Sequence, residues 1–375
     1  MKKFDKERLL LAFAGPVMAL VAAMVLTSGV LLASGKNPVE PYTLMLEQIG
    51  FSDIQVLTIN QASMYYLAAL AVAVGFRMNL FNIGVDGQYR LAAFVTAVVG
   101  AHIAFPSFLQ IPVLLAVAVL TGAAWAGIAG LLKTTRGVSE VVATIMLNAI
   151  ASSLIAWLAL TDNFGVALGN NQSTGEMAES GWIPGIELGA AGEIYGFVFV
   201  AALVGFLYWG VINRTRFGFD LRATGASESA AAASGVNAKR MILTAMLVSG
   251  GVAGLAGMPI LLGASHTFDL TFPASIGFNA IGIALLGRNH PIGIAFAAFL
   301  WAFLEKASPA LDYAGYDKEI AVIMQGLIVL TTVVSYEIVR DWGMRRQQQR
   351  VGEELAAAAR AAASNPDSQK DVAAR

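Results

Sequence analysis

Long apolar runs separated by short polar ones dominate the chain. The first extends from Leu9 to Leu32, and nine more follow at approximately 56–76, 80–103, 111–132, 138–160, 194–212, 241–263, 273–286, 291–307 and 319–339. Most approach the roughly 20 apolar residues that a helix needs to cross a bilayer. None alternates apolar with polar positions as a barrel strand must, and in lipid every backbone donor and acceptor has to be paired internally. The pattern predicts an all-α polytopic membrane protein with ten transmembrane helices. The first run follows Lys2, Lys3, Lys6 and Arg8 like the core of a signal peptide, but it exceeds the about 7–15 residues of such a core. It is expected to be a retained anchor, with cleavage at Ala33-Ser34-Gly35 left open.

Composition strengthens this picture. With 57% apolar and 13% charged residues the 375-residue chain has too little polar surface for a soluble domain, which carries about 25% charged residues. A net charge of −1 leaves no basic excess for nucleic acid. The absence of cysteine removes disulfides, thiolate nucleophiles and Cys-based metal sites. His102, His266 and His290 are far apart and are expected to be structural or interfacial.

The placement of charge gives orientation. With the N-terminus inside, twenty Lys and Arg fall on the cytoplasmic side, against Lys36, Lys306 and Lys318 outside and Arg90 within a span. Both termini are therefore expected to be cytoplasmic. The 161–193 segment, with Asp162, Glu176, Glu179, Glu187 and Glu193 but no Lys or Arg, is expected outside. Trp157, Trp182, Trp209 and Trp342 fall near the expected interfaces as anchors. Residues 1–340 read as one transmembrane domain and 341–375 as a polar cytoplasmic tail, a short helix followed by disorder.

Small residues mark where spans approach closely. Gly122, Ala126, Gly127 and Gly130 in the fourth span, and Gly250, Gly251, Gly254 and Gly257 in the seventh, predict tight packing within the chain rather than a dimer seam.

Three polar features stand out. Phe81-Asn82-Ile83-Gly84-Val85-Asp86-Gly87-Gln88 interrupts apolar sequence; it is either a broken helix facing a polar solute or a tight cytoplasmic turn. Arg90, one turn after Asp86, is placed to pair with it, since an unpaired Arg at mid-membrane costs on the order of 2.5–3.5 kcal/mol. In the fifth span Glu140, Thr144 and Asn148 form an i, i+4, i+8 stripe, with Ser139 on roughly the same face; the stripe either lines a conduit or bonds a neighbouring helix. In the loop 213–240, Ser227 is an N-cap, Glu228 lies in a first turn, Ala230 to Ala233 favour helix and Gly235 ends it. A short exposed helix with a smooth surface suits docking into a partner's groove, or an interfacial linker.

No G-x-x-x-x-G-K-[ST], H-E-x-x-H or G-x-S-x-G occurs, so the chain carries no nucleotide-phosphate cradle and no hydrolase signature. No catalytic or metal-binding residues are expected, and the chain is not expected to be an enzyme.

Together FNIGVDGQ (81–88), GVSEVVATIMLN (137–148), GFDLRATGASESAAAASGV (218–236) and GFNAIGIALLGRNHPIG (277–293) resemble the permease subunit of bacterial ABC importers. The likeness is to the nucleoside branch of the group that also holds ribose-type and branched-chain amino-acid permeases, and covers roughly residues 5–340. The resemblance implies that residues 225–236 are the coupling helix to the ATPase, with Gly225, Ser227, Glu228, Ala231, Ala232 and Gly235 at the contact. It implies a pathway role for Asn82, Asp86 and Gln88, to which Thr144 and Asn148 are added from their stripe. It further implies a second permease chain, two ATPase subunits that bind ATP and Mg, an external solute-binding protein, and a bacterial inner-membrane location. Asp86 stands where such permeases often carry Glu, and Arg90 where an apolar residue is common. The expected solute is a nucleoside, the alternatives being a simple sugar such as ribose or ion-coupled secondary transport, which needs intramembrane carboxylates.

Overall fold

The computed structural model describes residues 6–168 and 171–363. Its helices are α1 (Lys6–Ala33), α2 (Glu40–Glu47), α3 (Ser52–Phe76), α4 (Val85–His102), α5 (Ser107–Arg136), α6 (Glu140–Leu158), α7 (Phe197–Arg214), α8 (Arg216–Ala226), α9 (Glu228–Ala233), α10 (Ala238–Gly254), α11 (Met258–Ile260), α12 (Ile276–Leu286), α13 (Pro291–Ala307), α14 (Pro309–Tyr313) and α15 (Glu319–Ala363). Among the described residues eight helical stretches are long and apolar enough to cross a membrane. The two other expected spans are also helical but differ in kind. α4 carries Asp86, Gln88 and Arg90 in its first turns, and α12 has 11 residues, about 16 Å, half a hydrocarbon core.

α3 is the central post, buried along most of its length from Val56 to Gly75, with α7, α10, α12 and α13 packed around it. α1 and α15 form an outlying pair, joined where Thr331 Oγ1 donates to the Ala19 carbonyl at 2.8 Å. The two small-residue stripes meet each other along the seam of α5 and α10. A Cβ at Gly122 would overlap the Gly250 carbonyl, one at Gly250 would overlap Ala126, and one at Gly254 would overlap the Ala118 carbonyl. Without these glycines the two backbones could not come together, and in lipid such contact is what holds helices to one another.

Two expected helices have different limits. The seventh span is not one helix through 263: α10 stops at Gly254, a turn follows, and α11 leads into a π-turn at Leu261–Ser265. Pro259 has no N–H to continue an α-helical ladder, and Met258 N donates to Leu255 O in a tighter turn instead. The tail does not begin with a separate short helix. α15 runs on from the last span to Ala363, because Arg, Gln, Glu and Ala there favour helix and no proline intervenes before Pro366. The disorder expected at the extreme C-terminus falls outside the described residues.

The acidic 161–193 segment adds a little strand to an otherwise helical chain. β1 (Val166–Leu168) pairs with β2 (Asn171–Ser173), and β3 (Ile186–Glu187) with β4 (Glu193–Ile194), both antiparallel. The segment is fastened to the end of the seventh span: Thr174 N donates to Phe268 O at 2.8 Å, Met177 N to His266 O at 3.0 Å and Ile183 N to Leu262 O at 2.8 Å.

Candidate functional site: a broken span and the loop seated on it

α3 ends where Leu80 N donates to Gly75 O at 3.0 Å and Asn79 takes a left-handed φ of 58°. A Cβ at Gly75 would lie 2.8 Å from the Leu80 carbonyl oxygen, so glycine permits the closure. The chain then runs without helix through Phe81 to Ile83 before α4 starts at Val85, and its freed backbone groups need partners.

The polar stripe of α6 supplies them. Asn148 Nδ2 donates to Ile83 O at 2.9 Å and its Oδ1 accepts from Gly87 N at 2.8 Å. Glu140 accepts from Phe81 N at 3.4 Å and from Lys133 Nζ at 2.5 Å. Thr144, fully buried between them, donates to its own helix at Glu140 O. Ser139 is exposed and does not join the stripe.

Asn82 and Gln88 are 1% exposed and bond each other in both directions, Asn82 Nδ2 to Gln88 Oε1 at 2.9 Å and Gln88 Nε2 to Asn82 Oδ1 at 2.8 Å. Asn82 also donates to Ser249 Oγ at 2.9 Å, and Ser249 donates to Ala71 O at 2.7 Å. In this conformation both amides are enclosed by protein and brace the break against α10. Ser249 was not singled out from sequence; its signal is a hydroxyl directly beside two glycines in an apolar run.

Asp86 has a different partner from the one expected. Its Oδ1 accepts from Gly277 N at 3.2 Å, so the N-termini of α4 and of the short α12 meet on one carboxylate, each presenting partial positive charge. A Cβ at Gly277 would lie 2.6 Å from Asp86 N, so the approach requires glycine. Among the described residues no ion pair joins Asp86 to Arg90: the carboxylate is drawn toward α12, and Arg90 reaches across to Ser152 Oγ on α6 at 3.5 Å. Asp86 Oδ2 is buried without a protein partner. Nearby, Tyr89 Oη donates to Pro273 O at 2.6 Å.

The loop between α7 and α10 folds as two helices rather than one. Ser227 caps α9, its Oγ accepting from Ala230 N at 3.3 Å, and Gly235 follows with φ 86°. Glu228, Ser229, Ala230 and Ala232 are exposed, whereas Ala231 is 4% exposed and faces inward, so it does not belong to the outer surface on which it was expected. The helical period permits only part of a six-residue turn to face out. Gly225 also lies elsewhere than expected, within α8 and against the end of α3: a Cβ there would sit 2.7 Å from Met78 Cα and 2.8 Å from Arg77 O. The loop is thereby seated on the residues that lead into the break.

The histidines are separate. His102 Nδ1 lies 2.7 Å from Val98 O, His266 stacks on Trp182 at 3.9 Å between centroids, and His290 precedes α13. Among the described residues no three His, Asp or Glu gather as a metal site.

Residues 54–333 match the family described as the permease component of the branched-chain amino acid transport system. The guanosine ABC transporter permease NupP of Bacillus subtilis is 32% identical over 336 residues, covering 86% of this chain and 93% of its own. The nucleoside ABC transporter permease NupB of Lactococcus lactis is 30% identical, covering 86% and 91%. The ribose import permease RbsC of Haemophilus influenzae is 25% identical, covering 70% and 80%. No solved structure matches the chain significantly.

Proposed function

The chain belongs to the permease family of the branched-chain amino acid transport system, and on that premise we propose that it carries nucleosides across a bacterial inner membrane. It is a multi-pass membrane permease of an ABC importer, a transport protein rather than an enzyme, and works with ATPase and solute-binding partners. The nucleoside rests on the likeness to NupP and NupB; the weaker likeness to RbsC keeps ribose as the second candidate.

The mechanism proposed follows from the seat of Gly225. α9 presents Glu228 and Ala232 outward to an ATPase, and α8 transmits its displacement through Gly225 to Met78 and so to the broken segment. That segment is cross-braced to α6, α10 and α12 through Asn82, Asp86, Gln88 and Asn148, with Thr144 packed among them. Closure of two ATPases moves the brace as a unit and switches the pathway it borders between outward and inward access, which requires two global states with different contacts. ATP and Mg belong to those partners. A second permease chain completes the conduit, both termini and the 213–240 loop lie in the cytoplasm, and the 161–193 segment faces the external binding protein.

Reconstitution with the ATPases and binding protein tests this reading. ATP-dependent guanosine uptake is expected, abolished by Glu228→Arg or Ala232→Trp while the chain remains in the membrane. Solute-dependent proton movement by the purified chain alone would instead establish ion-coupled transport.

A further inference from the structure

A second polar cluster lies apart from the break. Tyr65, 2% exposed near the middle of α3, donates its hydroxyl hydrogen bond to Glu305 Oε2 of α13 and accepts one from Asn279 Nδ2 of α12 at 3.1 Å. Glu305 lies in the last turn of α13 beside Lys306, at the end of a membrane span, where a carboxylate marks a polar surface or route more often than a packing position. Tyr65 fixes one oxygen of Glu305, and among the described residues no group bonds the other. Glu305 lines a cavity of about 610 Å³ at the Ser52 end of α3, within the roughly 300–1,000 Å³ range of small-molecule sites. Its walls mix apolar Leu44, Leu57 and Pro309 with Gln48 and Lys306, and Tyr313 stands at its edge 93% exposed. The α8 contact is at the other end of α3, so the 25-residue helix, about 37 Å long, links the cavity to the coupling loop.

We propose that this cavity is a sugar-recognition subsite on the solute's route, where the free oxygen of Glu305 accepts hydrogen bonds from the adjacent 2′- and 3′-hydroxyls of a ribonucleoside and Tyr313 stacks on its base. It rests on the nucleoside reading above. A carboxylate held by a phenol is acceptor-only, and vicinal hydroxyls are paired donors; charge-assisted bonds of this kind are about twice as strong as neutral ones. An exposed aromatic ring supplies a planar apolar face for the base.

The test is uptake of tritiated guanosine and of 2′,3′-dideoxyguanosine by proteoliposomes holding the full complex with saturating binding protein. Glu305→Gln is expected to lower the maximal guanosine rate at least tenfold and to leave the slow dideoxyguanosine rate unchanged. Tyr65→Phe, which frees Glu305, is expected to reproduce part of that loss. Tyr313→Ala changes a surface position where folding is not at stake, and is expected to lower both rates. Wild-type guanosine rates in Glu305→Gln and Tyr313→Ala would overturn the subsite while leaving nucleoside transport standing. Equal fractional losses for guanosine and dideoxyguanosine in Glu305→Gln would overturn recognition of the hydroxyls. Failure of the wild-type complex to take up guanosine would overturn the nucleoside reading and this subsite with it.

Discussion

Gly122→Ala and Gly326→Ala make the same chemical change in two helices and are expected to have different outcomes. At Gly122 the new methyl overlaps the Gly250 carbonyl and lies 2.9 Å from Gly254 Cα and N. Carbon contacts are optimal at about 3.5–4.0 Å, so α5 and α10 must part by roughly 1 Å, and the obstructing atoms are backbone with no rotamer to move aside. Such overpacking costs about 1–3 kcal/mol. At Gly326, on the exposed side of α15, nothing lies within 4 Å of the added methyl. Both changes gain the same helix preference of alanine over glycine, about 1 kcal/mol, so that term cancels between them. The two variants should therefore differ by about 1–3 kcal/mol, with Gly326→Ala neutral or stabilising. The measurement is SDS-titrated unfolding in mixed micelles, followed by far-ultraviolet circular dichroism. Equal midpoints for the two variants would show that the α5 and α10 backbones are not in contact.

Three further outcomes are expected. Gly225→Val, whose Cβ would meet Met78 Cα at 2.7 Å, should uncouple the reconstituted complex, lowering uptake at least tenfold while ATP hydrolysis continues; wild-type uptake would refute transmission through that contact. Because Asn82 and Gln88 bond each other in both directions, an Asn82→Ala, Gln88→Ala double-mutant cycle should show a coupling of about 0.5–3 kcal/mol in unfolding, whereas additive losses would place them apart. Burial against Trp182 holds the His266 imidazole below its ordinary pKa, the nearby Glu176 and Glu193 opposing this. Its contribution is therefore complete above about pH 6.5, where both forms are neutral, and is lost as pH falls toward the depressed value, because the detached state takes up the proton first. The hydrogen-exchange protection factors of the Met177 and Ile183 amides, which tie the 161–193 segment to the seventh span, should fall between pH 7.5 and pH 5.5 once the intrinsic pH dependence of exchange is divided out (on the order of one proton's linkage). His266→Phe should remove that loss of protection, and an unchanged pH dependence of the protection factors would exclude His266 as its source.

The break and the 213–240 loop clarify one another. A carboxylate at the start of α4 looks from sequence like half of an ion pair with Arg90, since four residues bring side chains together on a helix. The folded chain offers Asp86 the dipole of α12, 191 residues away, and Arg90 turns toward α6. The polar stripe of α6 proves to be a clamp on exposed backbone. Satisfying the Phe81 and Gly87 amides and the Ile83 carbonyl is what allows a non-helical stretch to persist among apolar helices.

What the sequence determined is local. Hydropathy located the helices, because a bilayer demands about 20 apolar residues wherever the chain crosses it. Glycine spacing marked the α5 and α10 faces as seams, and Ser227 with Gly235 delimited α9, since caps act within one turn of the residues that carry them. The resemblance and the spacing also brought out Asn82, Asp86, Gln88, Thr144 and Asn148. Partners were decided only by tertiary structure. Ser249 meets Asn82 across 167 residues and Glu305 meets Tyr65 across 240, and neither pair has a periodicity that could reveal it. Even the inward turn of Ala231 depends on how α9 lies against its neighbours. Helix and span are encoded by residues adjacent in the chain, whereas a buried polar group takes whichever donor or acceptor the packing of distant helices brings within reach.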